Sequence, residues 1–349
     1  MTVRTLLAIA SLAFMVLQAC DPRRDIHRWD FEAMGTAARV EIFHTESESA
    51  ADGFRIVRAV FDSVEAVMST WDPNSEISHV NRAPAGSVLA LSPWLDDCLS
   101  RAEEVRGASG GAFDPTAEPL MRLWGFYRGE GRLPAQAQID SARALVGRYR
   151  HIGETRSLVK ELEGTSFDLG GIAKGYAIDR AAEALRALGI ENALIDLGGN
   201  LFCMGAPPGR ETWRVGVRDP QDKDRLFAVL QTTDRAVATS GSYERYVIID
   251  GRRYGHIMNP STGRPAEGLL SVTVLAANAT LADGLSTALF VAGFEEARNL
   301  ISRSYPDVGV VFVLSPQGGG SPKAMATSNL EGRIALSTKR GRGYALEFF

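Results

Sequence analysis

A glycine-rich stretch in the middle of the chain has the composition of a phosphate-binding turn. Asp168 is followed by Gly170, Gly171, Lys174 and Gly175, and a helical pattern of apolar residues continues beyond them. Glycines between a strand and a helix let backbone groups approach a ligand closely, and a helix N-terminus favours phosphate. Lys174 would add a positive charge beside a pyrophosphate. The alternative interpretation is a structural glycine turn with a solvated lysine.

A carboxylate and a hydroxyl are spaced for metal binding in a second segment. Asp283 and Thr287 lie four residues apart and therefore share one face of a predicted helix. Their oxygens are hard ligands that suit Mg²⁺, which keeps several waters and also uses phosphate oxygens of its substrate. The alternative is that Asp283 complements the helix dipole while Thr287 bonds to its local backbone.

A turn that starts at His256 offers a candidate general base. It runs through Asn259 and Pro260 to Gly263 and contains one of the five histidines of the chain. A histidine can accept a proton near neutral pH. A lone histidine is nevertheless more often structural, so this segment alone does not establish catalysis.

The loop over residues 110–116 could contact a planar ligand. Paired glycines are followed by Asp114 and Pro115, which is typical of a tight turn, and Trp124 and Phe126 follow a few residues later. Aromatic side chains can form a platform for a flat ring. The alternative is that these aromatic residues belong to the hydrophobic core.

The surrounding patterns predict the elements that must position these residues. Apolar spacing predicts helices over Ser47–Met68, Pro93–Arg106, Gln136–Val146, Ala173–Leu188, Thr280–Val291 and Phe294–Ser302. Alternation from Trp29 through Phe43 predicts a first strand region. Further strands are predicted near Ser87–Leu91, Ala193–Asp196, Trp213–Arg218, Phe227–Gln231, Glu244–Asp250, Ser271–Ala276, Gly309–Leu314 and Gly332–Ser337. The mixed order favours an α+β fold over a doubly wound sheet.

The composition excludes one class of partner and leaves the cysteines open. Hydrophobic residues make up 45% and charged residues 23% of the 349 residues, and the net charge is −4. This balance lacks the basic surplus that a nucleic-acid-binding protein uses to neutralise phosphates. Cys98 and Cys203 are either a disulfide pair or buried small hydrophobic residues.

The N-terminal segment predicts export and a lipid anchor. Residues 1–19 carry Arg4 and then an apolar run that is shorter than the roughly 20 residues of a membrane-spanning helix and suits a cleaved signal. The run ends in Leu17-Gln18-Ala19-Cys20, which resembles a lipobox with lipidation at Cys20; the alternative is an ordinary secretory signal. Asp21 resembles an inner-membrane retention signal. We therefore expect a lipid-anchored protein on the periplasmic side of the inner membrane, with a tether over residues 20–28 and one domain over residues 29–349.

Taken together, the motifs resemble the ApbE family of FAD:protein FMN transferases. They occur in the family's order, which is far more specific than any single motif. The matching segments are Met34–Thr36, Met68–Pro73, Ser75–Ser78 with Asn81, Gly110–Thr116, Asp168–Gly175, Gly198–Asn200, Thr239–Gly241, His256–Gly263 and Ala282–Thr287.

The resemblance implies a fold and a set of site residues. It implies an α+β fold related to the T-fold, with mixed sheets flanked by helices and an FAD cleft between two subdomains. The FAD contacts carry over to Met34, Ala112, Phe113, Asp114, Asp168, Lys174 and Met258. The Mg²⁺ ligands carry over to the Gly171 carbonyl, Asp283 and Thr287. Some members have a second aspartate where this chain has Ser286, so this site offers one carboxylate fewer.

The resemblance also implies a reaction, namely Mg²⁺-dependent transfer of FMN from FAD to a threonine or serine hydroxyl with release of AMP. The expected acceptor is a flavoprotein subunit of a periplasm-facing redox complex. His256 is the candidate base, and Asp283 is the second choice because a metal-bound carboxylate is a poor base. Two alternatives remain open from the sequence: an FAD pyrophosphatase that delivers water instead, and a flavin-carrying lipoprotein without catalysis.

Overall fold

The computed structural model describes residues 25–44, 46–127, 131–316, 322–337 and 344–349. The predicted signal segment over residues 1–19 and the predicted lipidation site Cys20 lie outside the described residues. So do residues 318–321, whose glycine-rich sequence predicts a loop. None of the described helices is both long enough and apolar enough to cross a membrane.

Helices and strands alternate irregularly along the chain. The strands are β1 (Asp25–Ala33), β2 (Thr36–His44), β3 (Val88–Ala90), β4 (Tyr149–Ile152), β5 (Ser157–Lys160), β6 (Ala193–Leu197), β7 (Asn200–Met204), β8 (Trp213–Asp219), β9 (Asp222–Thr232), β10 (Arg235–Gly241), β11 (Tyr246–Ile249), β12 (Arg252–Gly255), β13 (Met258–Asn259), β14 (Arg264–Pro265), β15 (Leu269–Ala276), β16 (Gly309–Leu314), β17 (Lys323–Ala326), β18 (Ile334–Leu336) and β19 (Leu346–Phe348). The helices are α1 (Ser47–Met68), α2 (Glu76–Arg82), α3 (Pro93–Ala108), α4 (Glu118–Trp124), α5 (Gln136–Arg143), α6 (Ala173–Ala187), α7 (Ala279–Ala292) and α8 (Phe294–Ser304).

A large mixed sheet forms the centre of the molecule. Its strand order over the described residues is β1-β2-β6-β7-β10-β15-β16-β17-β19. The pairs within it are antiparallel except for β17 with β19. Smaller sheets have the orders β18-β9-β8 and β3-β5-β4, and β11 with β12 and β13 with β14 form two-stranded sheets.

The two faces of the large sheet belong to different hydrophobic cores. Val272, Val274 and Phe312 pack with side chains of α1, α6 and α7 in the first core cluster. Leu275 and Val311 are the chain neighbours of Val274 and Phe312, and they pack with side chains of β8 and β9 in the second cluster. Successive strand residues point to opposite faces, and each fully buried apolar side chain contributes about 1.5–3 kcal/mol to folding. The sheet is therefore covered by helices on one face and by a small sheet on the other, and the predicted α+β class is confirmed.

Most predicted elements are present, and the differences have local causes. The helix predicted over Ser47–Met68 is observed with those bounds. Strand β1 begins at Asp25, so it covers residues 25–28 of the stretch predicted as a tether. Strand β10 escaped prediction because its small residues give no clear alternation. Helices α2 and α4 are short, which leaves too few turns for a periodic signal.

A close contact between helices α6 and α7 fixes the geometry of the later site. A Cβ atom at Gly175 would lie 2.1 Å from the carbonyl oxygen of Ala279 and 2.8 Å from Cβ of Asp283. Only glycine permits this approach, because any side chain would push the helices apart. The contact brings the N-terminal turn of α6 next to Asp283.

The two described cysteines do not form a disulfide. Cys98 and Cys203 are free and buried, and they belong to different core clusters. Burial raises the pKa of both thiols, so they act as small hydrophobic residues.

Candidate active site

The predicted site residues line a single cavity of about 590 Å³. The cavity lies where the first core cluster meets a smaller third cluster built around Trp124, Ile139 and Met258. This position agrees with the expected cleft between two parts of the fold. The predicted residues found in its lining are Met34, Ala112, Phe113, Asp114, Asp168, Gly171, Lys174, His256, Met258, Asp283 and Thr287. Their proximity is thus established, whereas their individual roles stay predictions.

Lys174 and Asp283 form a charged pair at the contact between α6 and α7. The Lys174 ammonium lies 3.9 Å from Oδ1 of Asp283 and donates to the carbonyl of Gly170 at 3.2 Å. The backbone N–H of Gly175 donates to Oδ2 of Asp283 at 3.0 Å. Asp283 is buried while Lys174 is partly exposed. The buried carboxylate is therefore oriented by the backbone, and the cation faces the cavity.

Gly171, Asp283 and Thr287 supply a set of hard oxygen donors. A Cβ atom at Gly171 would lie only 3.1 Å from Oγ1 of Thr287 and 3.2 Å from the ring of Phe113, so glycine lets this backbone pass close to the hydroxyl. One carboxylate, one hydroxyl and one carbonyl suit a Mg²⁺ ion that retains waters and binds phosphate oxygens. Among the described residues, no cluster of three or more His, Cys, Asp or Glu side chains offers a competing metal site.

Ser286 takes part in a hydroxyl network beside these donors. Ser286 is fully buried, and its hydroxyl donates to the carbonyl of Asp283 at 2.9 Å. Its oxygen lies 2.8 Å from Oγ of Ser240, which in turn lies 3.3 Å from Oγ1 of Thr287. Ser286 thus orients neutral hydroxyls where some family members have a second carboxylate. The matching segment Thr239–Gly241 also lines the cavity.

Asp168 is held in place from three directions. Its backbone N–H donates to the carbonyl of Pro115 at 2.8 Å, and its Oδ1 accepts from the N–H of Gly170 at 2.6 Å. The hydroxyl of Tyr127 donates to Oδ2. Burial and the adjacent carboxylate raise the pKa of Tyr127, so Tyr127 keeps its proton and remains a donor.

Asp114 braces the loop that presents Ala112 and Phe113. Arg106 Nε donates to Oδ2 of Asp114 at 2.7 Å, and the backbone N–H of Thr116 donates to Oδ1 at 2.9 Å. Both carboxylate oxygens therefore already have partners within the protein. Ala112 and Phe113 line the cavity beside Asp114.

Met34 reaches the cavity from the turn between β1 and β2. Met34 and Gly35 have φ angles of 50° and 68°, as in the two-residue turns that fit the twist of a hairpin. The N–H of Met34 donates to Oε2 of Glu65 on α1 at 3.1 Å. The turn is thus attached to the helix layer, which fixes the position of the methionine at the cavity.

His256 lies directly after β12 and is neutral at pH 7. Both its backbone N–H and its Nδ1 lie within hydrogen-bond distance of the Arg245 carbonyl, at 3.0 Å and 3.1 Å. Burial lowers the pKa of His256 to about 4, and the nearby charges of Arg245 and Lys174 act in the same direction. If Nδ1 donates to the carbonyl, Nε2 keeps a free lone pair. A pKa near 4 makes the free protein a weak base.

Several cavity residues were not predicted as site residues. Trp71 is 44% exposed, and its ring centroid lies 5.3 Å from that of Tyr127. The guanidinium of Arg245 lies 5.7 Å above the Trp71 ring. Trp71 belongs to one of the matching motifs and could have been named, whereas Tyr127 and Arg245 carry no local signal. Together they form an aromatic and positively charged rim.

Comparisons with known proteins agree on one family. The sequence profile of the ApbE family matches residues 34–312. The FAD:protein FMN transferase of Salmonella typhimurium is 32% identical over 298 residues, covering 83% of this chain and 84% of that protein. The corresponding protein of Vibrio cholerae is 31% identical over 323 residues, covering 90% of this chain and 94% of its own length.

Solved structures give the same result. The flavin transferase ApbE from Vibrio cholerae superimposes with a TM-score of 0.78 at 28% identity and covers 88% of this chain and 100% of its own. The apo flavinyl transferase ApbE of Pseudomonas stutzeri gives a TM-score of 0.78 at 30% identity, with coverage of 88% and 96%. Sequence and fold agree over most of the chain, and the protein therefore belongs to the ApbE family.

Proposed function

We propose that this protein is a Mg²⁺-dependent FAD:protein FMN transferase. In this reaction the FMN half of FAD moves to a threonine or serine hydroxyl of a partner flavoprotein, and AMP is released. The observation that carries the proposal is the convergence of Lys174, Asp283, Thr287 and the Gly171 backbone in one cavity. The names of the two relatives described above support the same activity.

The cavity suits FAD as the substrate. Its volume of about 590 Å³ lies within the usual range for small-molecule sites, roughly 300–1,000 Å³. Phe113 and Met258 offer apolar surface for the flavin or adenine ring, and Lys174 offers positive charge for the pyrophosphate. Each carboxylate oxygen of Asp168 accepts one hydrogen bond within the protein, from Gly170 or Tyr127, and it retains a lone pair that can accept a second one from FAD.

Asp283, Thr287 and the carbonyl of Gly171 would hold the Mg²⁺ ion. When bound, such an ion neutralises pyrophosphate charge and makes the phosphorus more electrophilic. Lys174 adds a second positive charge on the same side of the cavity. Phosphoryl transfer depends mainly on positioning and charge neutralisation. These residues would supply the charge neutralisation.

His256 would accept the proton that the acceptor hydroxyl loses. The acceptor hydroxyl oxygen forms a bond to the FMN phosphorus, the bond from that phosphorus to the AMP oxygen breaks, and the hydroxyl proton passes to Nε2 of His256. The negative charge of bound FAD would raise the pKa of His256 from about 4, because it offsets the fields of Lys174 and Arg245. The base would thus become stronger when the substrate is bound.

The proposal is tested by incubating the protein with FAD, Mg²⁺ and an extract of source cells that lack its gene. Mass spectrometry should find the added mass of FMN on a threonine or serine. Free FMN without covalent flavin would instead favour an FAD pyrophosphatase.

The Asp283→Ala variant distinguishes an enzyme from a protein that only binds flavin. The variant should lose at least about 100-fold in rate, since it removes the one carboxylate of the metal site. An Asp140→Ala variant, on the exposed side of α5, is the matched control and should keep wild-type activity. If Asp283→Ala turns FAD over as fast as an active wild type, the metal-binding role of Asp283 is wrong. If neither protein turns FAD over although both bind it, the enzymatic proposal is wrong and a flavin-carrying protein is favoured.

We also propose that Cys20 carries a lipid that anchors the protein to the periplasmic side of the inner membrane. The resemblance of residues 17–20 to a lipobox supports this anchor. The acceptor would then be a subunit of a redox complex that faces the same compartment.

A further inference from the structure

The hairpin of β11 and β12 rises from the rim of the cavity. The residues immediately before it, Glu244 and Arg245, and the residue immediately after it, His256, all line the cavity. The carbonyl of Arg245 accepts the backbone N–H of His256 at 3.0 Å, which closes the base of the hairpin. Within the described residues, its two strands pair only with each other.

One face of the hairpin packs against the third core cluster. Ile249 is buried in the third core cluster, and Val247 and Tyr254 pack against that cluster. The ring of Tyr254 lies 5.4 Å from that of Trp124. Arg252 lies on this inner face, opposite Ile249, and forms an ion pair with Glu267.

The other face is exposed and carries apolar and positive groups. Tyr246 is 41% and Ile248 63% exposed. Arg253 is paired with Ile248 across the hairpin, and its guanidinium lies 4.1 Å above the Tyr246 ring. Directly opposite residues of an antiparallel pair lie on the same face. We call Tyr246, Ile248 and Arg253 the outer face of the hairpin.

Among the described residues, two arginines on this side of the rim have no carboxylate partner. Neither Arg253 of the outer face nor Arg245 at its base forms an ion pair with any residue in the part of the chain that the structure describes. Both are stacked on aromatic rings instead. Stacking positions a guanidinium and leaves its hydrogen-bond donors free for an incoming carboxylate.

We propose that the outer face of the hairpin, together with Arg245, is the docking surface for the acceptor protein. The inference rests on the proposed function, which requires a polypeptide hydroxyl to reach the cavity across its rim. Arg245 and Arg253, which form no ion pair within the described ranges, and the exposed Tyr246 and Ile248 fit a segment with acidic side chains next to apolar ones, close to the modified residue. A segment bound there lies beside His256, the candidate base.

The test compares matched losses of charge on the two faces of the hairpin. Arg253→Gln removes a charge from the outer face, Arg252→Gln removes one from the inner face, and Arg253→Lys keeps the charge. Each purified protein is incubated with FAD, Mg²⁺ and the extract of source cells that lack its gene. Covalent flavin on the acceptor is followed by in-gel fluorescence, and FAD affinity is measured separately.

Arg253→Gln should lower the initial rate of flavin transfer by about tenfold at low salt, because rim charges govern encounter with a charged partner. Arg252→Gln and Arg253→Lys should remain within about twofold of the wild type, and FAD affinity should be unchanged in all three. Transfer by the wild type should slow as salt is added, and this dependence should be weaker in Arg253→Gln.

Equal transfer rates for Arg253→Gln and the wild type would overturn the docking surface. So would a loss of FAD affinity in Arg253→Gln, because this residue would then belong to the flavin site. A wild-type protein that attaches no flavin at all contradicts the proposed function itself and removes the basis of the docking role. The two failures are therefore distinguishable.

Discussion

Tyr127 shows how a single side chain outside the expected motifs can control the site. Its hydroxyl donates to Asp168, and its ring contacts Trp71. Asp168 is expected to bind FAD, so the orientation of its carboxylate affects the flavin directly. Hydrogen bonds to charged groups contribute about 1.5–3 kcal/mol, which makes this contact larger than a typical neutral one.

We expect Tyr127→Phe to weaken FAD binding by about tenfold while the protein stays folded. The ring and its contact with Trp71 remain, and only the hydrogen bond to Asp168 is lost. Fluorescence titration with FAD measures the change. Tyr246→Phe, which alters an exposed hydroxyl on the hairpin, is the matched control, and equal FAD affinities in the two variants would contradict the positioning role of Tyr127.

The lowered pKa of His256 predicts how the stability of the protein depends on pH. Its pKa is about 4 in the folded protein and about 6.5 in an unfolded chain, so the unfolded state binds more protons between these values. The free energy of unfolding should therefore rise with pH from about 4 to 6.5, and the contribution of His256 should be lost as the pH falls through this window.

Denaturant unfolding at several pH values tests this expectation. His256→Asn should show a smaller increase in stability over the window than the wild type, because its side chain does not titrate. An NMR titration of the wild type should place the histidine well below its ordinary value and should shift it upward when FAD is bound. Identical pH profiles for the two proteins would show that His256 is not buried in its neutral form.

The contact between α6 and α7 joins the turn that we propose to bind phosphate to the helix that we propose to bind Mg²⁺. Asn278 caps α7 by accepting from the N–H of Leu281 at 2.8 Å. Asp179 of α6 accepts the N–H groups of Ala279 and Thr280 at 2.7 Å and 2.8 Å. Satisfying these free N–H groups fixes the start of α7, and it fixes the distance between Lys174 and Asp283.

Gly175→Ala should disrupt this contact. The added methyl group would lie 2.1 Å from the Ala279 carbonyl oxygen, and overpacking of this kind costs about 1–3 kcal/mol. We expect a lower melting temperature and a strong loss of activity, since the helices must separate. Gly107→Ala in α3, where a Cβ atom would meet nothing within 4 Å, should be neutral or slightly stabilising. Equal effects of the two substitutions would contradict the role of the contact.

For the molecule as a whole, the proposed lipid anchor would influence how close the cavity lies to the membrane. The cavity lies between the large core and the third cluster, so FAD would contact both. Strand β1 begins at Asp25, a few residues after Cys20. A lipid at Cys20 would therefore hold the folded domain close to the membrane surface, where a membrane-bound acceptor could reach it.

Cys20→Ser tests the anchor. The variant should move from the membrane fraction to the soluble fraction after cell lysis, because a lipid chain supplies most of the membrane affinity of an anchored protein. Transfer to soluble peptides or extracts should be unchanged. A wild type that is already soluble, or a variant that stays with the membrane, would contradict lipidation at Cys20.

Properties that depend on neighbouring residues could be predicted from the amino-acid sequence. The periodicity of α1 predicted its bounds, and the alternation in β8 and the apolar runs in β15 and β16 predicted strands. The spacing of Asp283 and Thr287 placed both on one helix face. These are local features, since helical and strand periodicity act over a few residues. The order of the motifs added the family and, with it, the expected site residues.

Contacts between distant segments were decided by the tertiary structure. The hydrogen bonds from Gly175 to Asp283 and from Tyr127 to Asp168 join residues 108 and 41 positions apart. The stacking of Arg245 on Trp71 is likewise non-local. Such contacts depend on strand order and on the close approach of helices, and no periodic pattern encodes either. The sequence therefore supplied the chemical groups, and packing around the sheet determined which of them meet in the cavity.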